Sequence, residues 1–274
     1  MRRELSLLYS PEETEALVSR TLQHVLKVSR SDIYLQPDTN VSKTAVHAIE
    51  KITAALKKFE PLQYILGETS FYGLDFKVNS NVLIPRPETE ELVDWILKEN
   101  TSDHLKAVDL GTGSGCIAVA IAKNRPSWDV TAADISPEAL KLAGENAAQN
   151  NTKVTFLHED MLNLSAGLKG RKFNLILSNP PYVTTAQKEE MQPNVLDYEP
   201  HVALFAPGPD PLIFYRAIAS FAFTNLEPSG KVYVEINEDL SEKSAKIFEE
   251  KGFKTNVARD IHGKYRMLKA YRND

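Results

Sequence analysis

Through the first 74 residues the apolar positions recur at steps of three and four, as in Ala16, Leu17, Leu22, Val25 and Leu26 and again in Val46, Ile49, Ile52 and Leu56. That spacing lays one face of a helix against a core, and no two-residue alternation interrupts it, so the segment reads as all-helical. Ser10-Pro11-Glu12-Glu13 opens a helix with a hydroxyl cap, a proline in the first turn and carboxylates at the positive end of the dipole. Pro61 closes the last long helix. From Ser70 to Leu83 the pattern turns to short aromatic and β-branched runs broken by Gly73 and by Asn79-Ser80-Asn81, as in a hairpin. Beyond Pro85-Arg86-Pro87-Glu88-Thr89-Glu90 a helix covers Leu92 to Leu97. Strands are then expected at 106–110, 129–134, 154–158, 173–178, 231–236, 255–259 and 266–271, and helices at 115–124, 136–149, 211–225 and 239–250. Alternation of this kind gives an α/β fold, a mainly parallel sheet with helices on both faces. The chain divides into a helical domain for substrate recognition at 1–74, a β-hairpin and proline-rich linker at 75–90, and the α/β domain at 91–274.

The length of 274 residues suits two domains, and 42% hydrophobic with 25% charged residues excludes a disordered or fibrous chain. With 32 Lys+Arg against 37 Asp+Glu the net charge is −5, so no broad basic field draws in nucleic-acid phosphates. Residues 1–74 are balanced, with nine of each sign, which puts the whole negative excess in the later part. The one cysteine, Cys116, forms no internal disulfide, as fits a reducing cytoplasm. Met1 to Ser10 lacks the apolar run of a secretory signal, and Cys116 to Ala122 falls far short of the ~18 residues of a membrane span. A cytoplasmic location without membrane attachment is expected. The six histidines are scattered without ligand spacing, so no metal is expected.

Chemistry enters after the first α/β strand, where Asp109-Leu110 runs into Gly111-Thr112-Gly113-Ser114-Gly115 and a helix. Glycines at alternate positions permit positive φ and a close approach of ligand to bare backbone. The spacing is not the Gly-x-Gly-x-x-Gly of dinucleotide enzymes, and Asp109 repels a pyrophosphate but suits a cation. S-adenosylmethionine, with sulfonium and ammonium charges, fits better than NAD. Asp134 ends the next strand, twenty-three residues beyond Gly111, where a carboxylate can take both ribose hydroxyls. Asp160 follows the third strand and can face the adenine amine, with Met161 packed on the ring. Three such features at the ends of three consecutive strands fall on the edge where open α/β sheets bind ligands.

The fourth strand delivers Asn179-Pro180-Pro181-Tyr182. Two prolines remove two backbone donors, fix φ, and hold Asn179 extended. The Asn179 side-chain oxygen and the Pro180 carbonyl can each accept one N–H of a planar NH₂ group, and Tyr182 can stack on the flat amide or base. The two hydrogen bonds turn the nitrogen lone pair toward the methyl group in a near-attack geometry. Such a motif serves exocyclic amines of DNA or RNA bases as well as glutamine side chains, so by itself it leaves the substrate open.

Several longer stretches narrow the choice. They are Glu60-Pro61-Leu62-Gln63-Tyr64-Ile65-Leu66-Gly67, Phe71-Tyr72-Gly73-Leu74-Asp75-Phe76, Val82-Leu83-Ile84-Pro85-Arg86-Pro87-Glu88-Thr89-Glu90 and Tyr198-Glu199-Pro200. With the glycine loop and Asn179 to Tyr182, they make the chain resemble the HemK/PrmC family, the methyltransferases that modify the Gly-Gly-Gln glutamine of class 1 peptide chain release factors. The resemblance covers roughly residues 5–272. It implies a helical N-terminal domain, a hairpin linker and a Rossmann-like seven-stranded domain dependent on S-adenosylmethionine. It also implies that Gly111 to Gly115, Asp134, Met161 and Asn179 line the cofactor, that Asn179 to Tyr182 receive the glutamine, and that the Arg86–Thr89 loop sits nearby. Two stretches depart from the family pattern: Glu235-Ile236-Asn237, where a glycine usually follows Glu-Ile, and Ala206 to Pro211, where the loop is usually glycine-rich.

Two other readings predict different features. An adenine-amine methyltransferase of DNA or RNA calls for a basic strip or a target-recognition insert, whereas this chain is acidic and without a long insertion. A non-catalytic adaptor that binds S-adenosylmethionine has no use for a planar amine acceptor such as Asn179.

Overall fold

The computed structural model describes residues 1–35, 40–163, 167–184 and 187–272. By internal contacts the chain forms two units, Met1–Gly67 with Gln192–Tyr198, and Glu68–Met191 with Glu199–Asp274. The first division thus falls at Gly67, ahead of the domain end expected at residue 74, and the later segment Gln192–Tyr198 belongs to the helical unit.

In the helical unit, Pro11–Leu26 and Lys43–Leu56 are the long helices, with shorter ones at Arg2–Leu5, Arg30–Leu35, Leu62–Leu66 and Pro193–Leu196. Ser10 caps the first long helix, its hydroxyl accepting the Glu13 N–H at 3.2 Å. Leu5, Val18, Ile52, Leu56 and Leu62 form the core. Each such side chain contributes about 1.5–3 kcal/mol on full burial. Tyr9 donates to the Leu56 carbonyl at 2.6 Å and Tyr198 to that of Lys58 at 2.8 Å, which ties Gln192–Tyr198 to the unit.

The second unit begins with a hairpin, β1 (Glu68–Phe71) and β2 (Leu74–Lys77). Tyr72 and Gly73 make its two-residue turn, both at positive φ (49° and 72°), the geometry that matches the twist of paired strands. Seven more strands form one sheet: β3 (Lys106–Leu110), β4 (Asp129–Asp134), β5 (Thr155–His158), β6 (Phe173–Ser178), β7 (Leu226–Glu235), β8 (Lys254–Arg259) and β9 (Tyr265–Tyr271). Their order is β5-β4-β3-β6-β7-β9-β8, parallel from β5 to β7 and antiparallel across β9. The central strands are apolar on both faces because both are covered. Helices Ile213–Asn225 and Ser241–Glu250 bring Tyr215, Ile218, Phe221 and Phe248 to one face. Helices Pro87–Glu99 and Cys116–Asn124, with Phe71 and Phe76 of the hairpin, cover the other.

One strand differs from expectation by more than a single residue at either end. β7 starts at Leu226 rather than 231, although Pro228-Ser229-Gly230 is turn chemistry. Phe173 pairs with Leu226 and Leu175 with Lys231, so the intervening residues of β7 bulge opposite Asn174. Among the described residues no helix is long and apolar enough to cross a membrane.

Candidate active site

The order in which strands are added to the sheet reverses between the parallel neighbours β3 and β6, leaving a crevice at their C-terminal ends. The loop after β3 enters it with Gly111, Gly113 and Gly115 at φ of 72°, 55° and 81°, values that strain a residue with a Cβ. At Gly115 a Cβ would sit 3.0 Å from that of Ala143, and at Gly111 it would sit 3.1 Å from the Met161 methyl. Gly115 thus holds the loop against the helix Pro137–Gln149, while Met161 covers Gly111.

Most loop amides point inward. Gly111 and Thr112 N–H donate to the Ala133 carbonyl at 2.8 and 3.0 Å, and Gly113 N–H donates to Asp134 Oδ2 at 2.8 Å. A pyrophosphate cradle needs such donors free. Asp134 Oδ1 accepts the Ser136 N–H at 2.9 Å. Each carboxylate oxygen keeps a second lone pair for a ligand hydroxyl. Burial raises the Asp134 carboxyl above its ordinary value, opposed by these N–H donors.

Asp109, expected to face the cofactor, is wholly buried beneath the loop and does not reach the cavity wall. Its Oδ2 accepts the Thr112 hydroxyl at 2.6 Å, and among the described residues its Oδ1 has no hydrogen-bond partner. Burial pushes its carboxyl up to about 7, with Asp134 adding to the rise and Thr112 opposing it. A carboxyl raised in the folded state keeps its proton there after the unfolded chain has lost it. Its contribution to stability is therefore complete below about pH 4 and is lost as pH rises through about 7. Asp109→Asn is expected to flatten that loss. In melting curves between pH 5 and pH 8 the wild type should lose a few °C more than the variant, on the scale of about 2–4 °C per kcal/mol. Equal losses would show that Asp109 does not titrate in this range.

The cavity has a volume of about 370 Å³. Gly111 to Ser114, Asp134, Asp160, Met161, Asn179 and Pro181 line it, whereas Gly115, Pro180 and Tyr182 do not. Asp160 Oδ1 accepts the N–H of Leu162 at 2.8 Å and shapes the turn that carries Met161. Ile117, Ile135, Ala139 and Leu162 supply apolar wall. Arg86 is the one cation among the described lining residues, and it is paired with Glu199 Oε1 at 2.5 Å. Glu199, 1% exposed, also accepts the Ile84 N–H at 3.1 Å and so pins the 81–86 segment along one wall. Cys116 lines the cavity too, but burial pushes its thiol up to about 12, which keeps it protonated and unreactive.

Asn179 Nδ2 donates to Thr89 Oγ1 at 3.2 Å, and the Thr89 hydroxyl donates to Glu235 Oε2 at 2.6 Å. Tyr182, expected to stack on the acceptor, is tied elsewhere: its hydroxyl donates to Glu235 Oε1 at 2.8 Å and its ring packs on the core. A buried phenol needs a partner for its O–H, and this one draws the ring off the wall. Burial pushes the Glu235 carboxyl up, opposed by Thr89, Tyr182 and Arg266. Sequence reasoning quoted Glu235 and Glu199 within longer stretches but gave neither a role at the site. An acid closing the apolar run Val232-Tyr233-Val234 was the signal available for the first.

These groups fit S-adenosylmethionine. Four of the five loop amides, those of Gly111, Thr112, Gly113 and Gly115, are satisfied within the protein and the cation Arg86 is paired with Glu199, an arrangement ill suited to phosphate. Carboxylates and apolar wall await a cationic nucleoside instead.

Residues 3–67 match the family described as PrmC N-terminal domain, and residues 89–197 match Methyltransferase small domain. A release factor glutamine methyltransferase of Flavobacterium psychrophilum is 43% identical over 270 residues, 97% of this chain and 94% of the relative. One from Bacteroides thetaiotaomicron is 44% identical over 99% of this chain and 98% of its own. In fold the chain is similar to a methyltransferase from Pyrococcus furiosus, with a TM-score of 0.55 at 19% identity over 85% of this chain and 100% of that one. It is also similar to the T. thermophilus 16S rRNA N2 G1207 methyltransferase solved with AdoMet and guanosine, with a TM-score of 0.53 at 19% identity over 75% of this chain and 50% of that one. With identity above two-fifths along nearly its whole length, the chain belongs to the release factor glutamine methyltransferase family.

Proposed function

We propose that this protein transfers a methyl group from S-adenosylmethionine to the side-chain amide nitrogen of the glutamine in the Gly-Gly-Gln motif of class 1 translation release factors. It does so in the cytoplasm, as a protein methylation bearing on translation termination. The observation that carries the reading is that Asn179 and the Gly111–Ser114 loop line one cavity, which brings an amide-binding group beside a nucleoside site. The names of its relatives support the substrate.

In this reading Gly111, Thr112, Gly113, Ser114, Asp134, Asp160 and Met161 hold the cofactor, and Asn179, Pro180 and Pro181 form the acceptor site. When bound, S-adenosylmethionine supplies an electrophilic methyl group and leaves as a neutral thioether. The chain holds the glutamine NH₂ by accepting one hydrogen at Asn179 Oδ1, in the cavity wall, and the other at the carbonyl of Pro180, the next residue, which does not itself line the cavity. Accepting both raises electron density on an otherwise delocalised nitrogen, and as the N–CH₃ bond forms one of the two protons passes to solvent water, which balances the loss of the sulfonium charge. Tyr182 acts behind the site rather than on it. The helical unit, residues 1–67 with 192–198, grips the protein substrate.

The test is transfer of label from methyl-labelled S-adenosylmethionine to a purified release factor, beside a Gln→Ala form of its Gly-Gly-Gln motif and duplex DNA. Label in the intact factor alone is expected. Label in DNA, or equal label in the Gln→Ala form, would overturn the assignment.

A further inference from the structure

We infer that Thr89 and Glu235 fix the direction of the Asn179 amide, presenting its oxygen and not its nitrogen to the acceptor. This rests on the assignment of Asn179 to the acceptor site. The three residues come from separate parts of the second unit: Thr89 from the first turn of Pro87–Glu99, Glu235 from the end of β7, and Asn179 from the residue after β6. Thr89 and Glu235 are 2% and 1% exposed, so the pair is shielded from bulk solvent, and Thr89 borders the cavity beside Asn179.

The chain of hydrogen bonds has one direction. Both carboxylate oxygens of Glu235 accept, one from Thr89 at 2.6 Å and the other from Tyr182 at 2.8 Å. Burial pushes the Glu235 carboxyl up, and the Thr89 and Tyr182 hydroxyls together with Arg266, on the adjacent strand β9, oppose that rise and favour the charged carboxylate that this direction requires. A hydroxyl has a single proton. With that proton given to Glu235, the Thr89 oxygen toward Asn179 can only accept, so Asn179 must offer its NH₂, as it does at 3.2 Å. A flipped amide would set two acceptors against each other with no proton between them, at a cost of about 1–3 kcal/mol in a buried place. No described residue takes up Asn179 Oδ1, which leaves it for the ligand.

A positioned carbonyl oxygen selects the class of acceptor. It accepts from a carboxamide or an amine and repels a carboxylate, so glutamine is taken and glutamate refused. Thr89 and Glu235 act through Asn179 and are positioning residues.

Thr89→Val keeps the shape and removes the hydroxyl. In methylation of a release factor we expect kcat to fall about 10- to 100-fold, the scale of a misplaced acceptor. The dissociation constant for S-adenosylmethionine, by calorimetry, should stay within about threefold, because only acceptor alignment is lost. Thr89→Ser should recover most of the lost kcat. Glu235→Gln, which puts a donor where one acceptor was, should lower kcat in the same way while melting near the wild-type temperature. A wild-type kcat in Thr89→Val would overturn the inference. So would a parallel loss of cofactor affinity that Thr89→Ser does not repair, the mark of a merely structural role. A second readout needs no acceptor: the Asn179 side-chain NH₂ resonance, identified by its absence in Asn179→Asp, should shift and exchange faster in Thr89→Val. An unchanged resonance would overturn the inference, whereas absent methylation by the wild type would count against the proposed function instead.

Discussion

Asn179→Ala is expected to reduce kcat for release-factor methylation by about 10²–10³-fold or more, the range for loss of one preorganised polar group at a reacting centre. The side chain has two ends with separate tasks. Its Nδ2 is held by Thr89 at 3.2 Å, and its Oδ1, taken up by no described residue, belongs to a side chain that lines the cavity. Alanine removes the acceptor for one N–H of the substrate amide, so the nitrogen is no longer aimed and its lone pair returns to the carbonyl. Cofactor affinity should stay within about tenfold, since the loop, Asp134 and the apolar wall are intact. The measurement is single-turnover methylation alongside calorimetric binding of S-adenosylmethionine. Near-full rate in Asn179→Ala would remove this residue from the reaction, and a loss of binding as large as the loss of rate would make it a cofactor ligand only.

Asp134→Ala should act in the opposite proportion. Its carboxylate lines the cavity and accepts the N–H groups of Gly113 and Ser136, so it serves both the ligand and the loop. Removal of a charged hydrogen-bond partner costs about 1–3 kcal/mol, which is roughly a tenfold to hundredfold weaker dissociation constant. Asp134→Asn separates the two tasks, because its carbonyl can still accept one of the two N–H groups while the charge is gone. Binding weaker than wild type in Asp134→Asn, and weaker still in Asp134→Ala, is expected. Identical affinities in all three proteins would exclude Asp134 from the cofactor site.

What the sequence made legible was local. The loop Gly111 to Gly115 could be read because positive φ at alternate residues demands glycine, and Asp134 because a strand of known length ends there. Strand and helix positions of the α/β part followed from runs such as Leu175-Ile176-Leu177, whose burial on both faces leaves no other use for them. What stayed hidden joins distant residues. Thr89 and Glu235 are 146 positions apart, and Arg86 and Glu199 are 113 apart. No periodicity reports such pairs, and only the family resemblance pointed toward Arg86–Thr89. Two side chains near the motifs misled for a shared reason. Asp109 and Tyr182 carry the right chemistry at the right positions, but each satisfies a polar atom inward, Asp109 through Thr112 and Tyr182 through Glu235. Residue type fixes what a group can bond, whereas packing decides which partner it finds.

The product itself tests the central claim, methyl transfer to an amide nitrogen of glutamine. After incubation of the wild-type protein, methyl-labelled S-adenosylmethionine and a release factor, the Gly-Gly-Gln peptide is isolated and hydrolysed in acid. An N-methylated side-chain amide breaks at its C–N bond, so the label is expected to leave as methylamine. Label released as methanol would reveal a methyl ester, and label absent from that peptide would place the methyl on another residue; either result would contradict the proposed reaction.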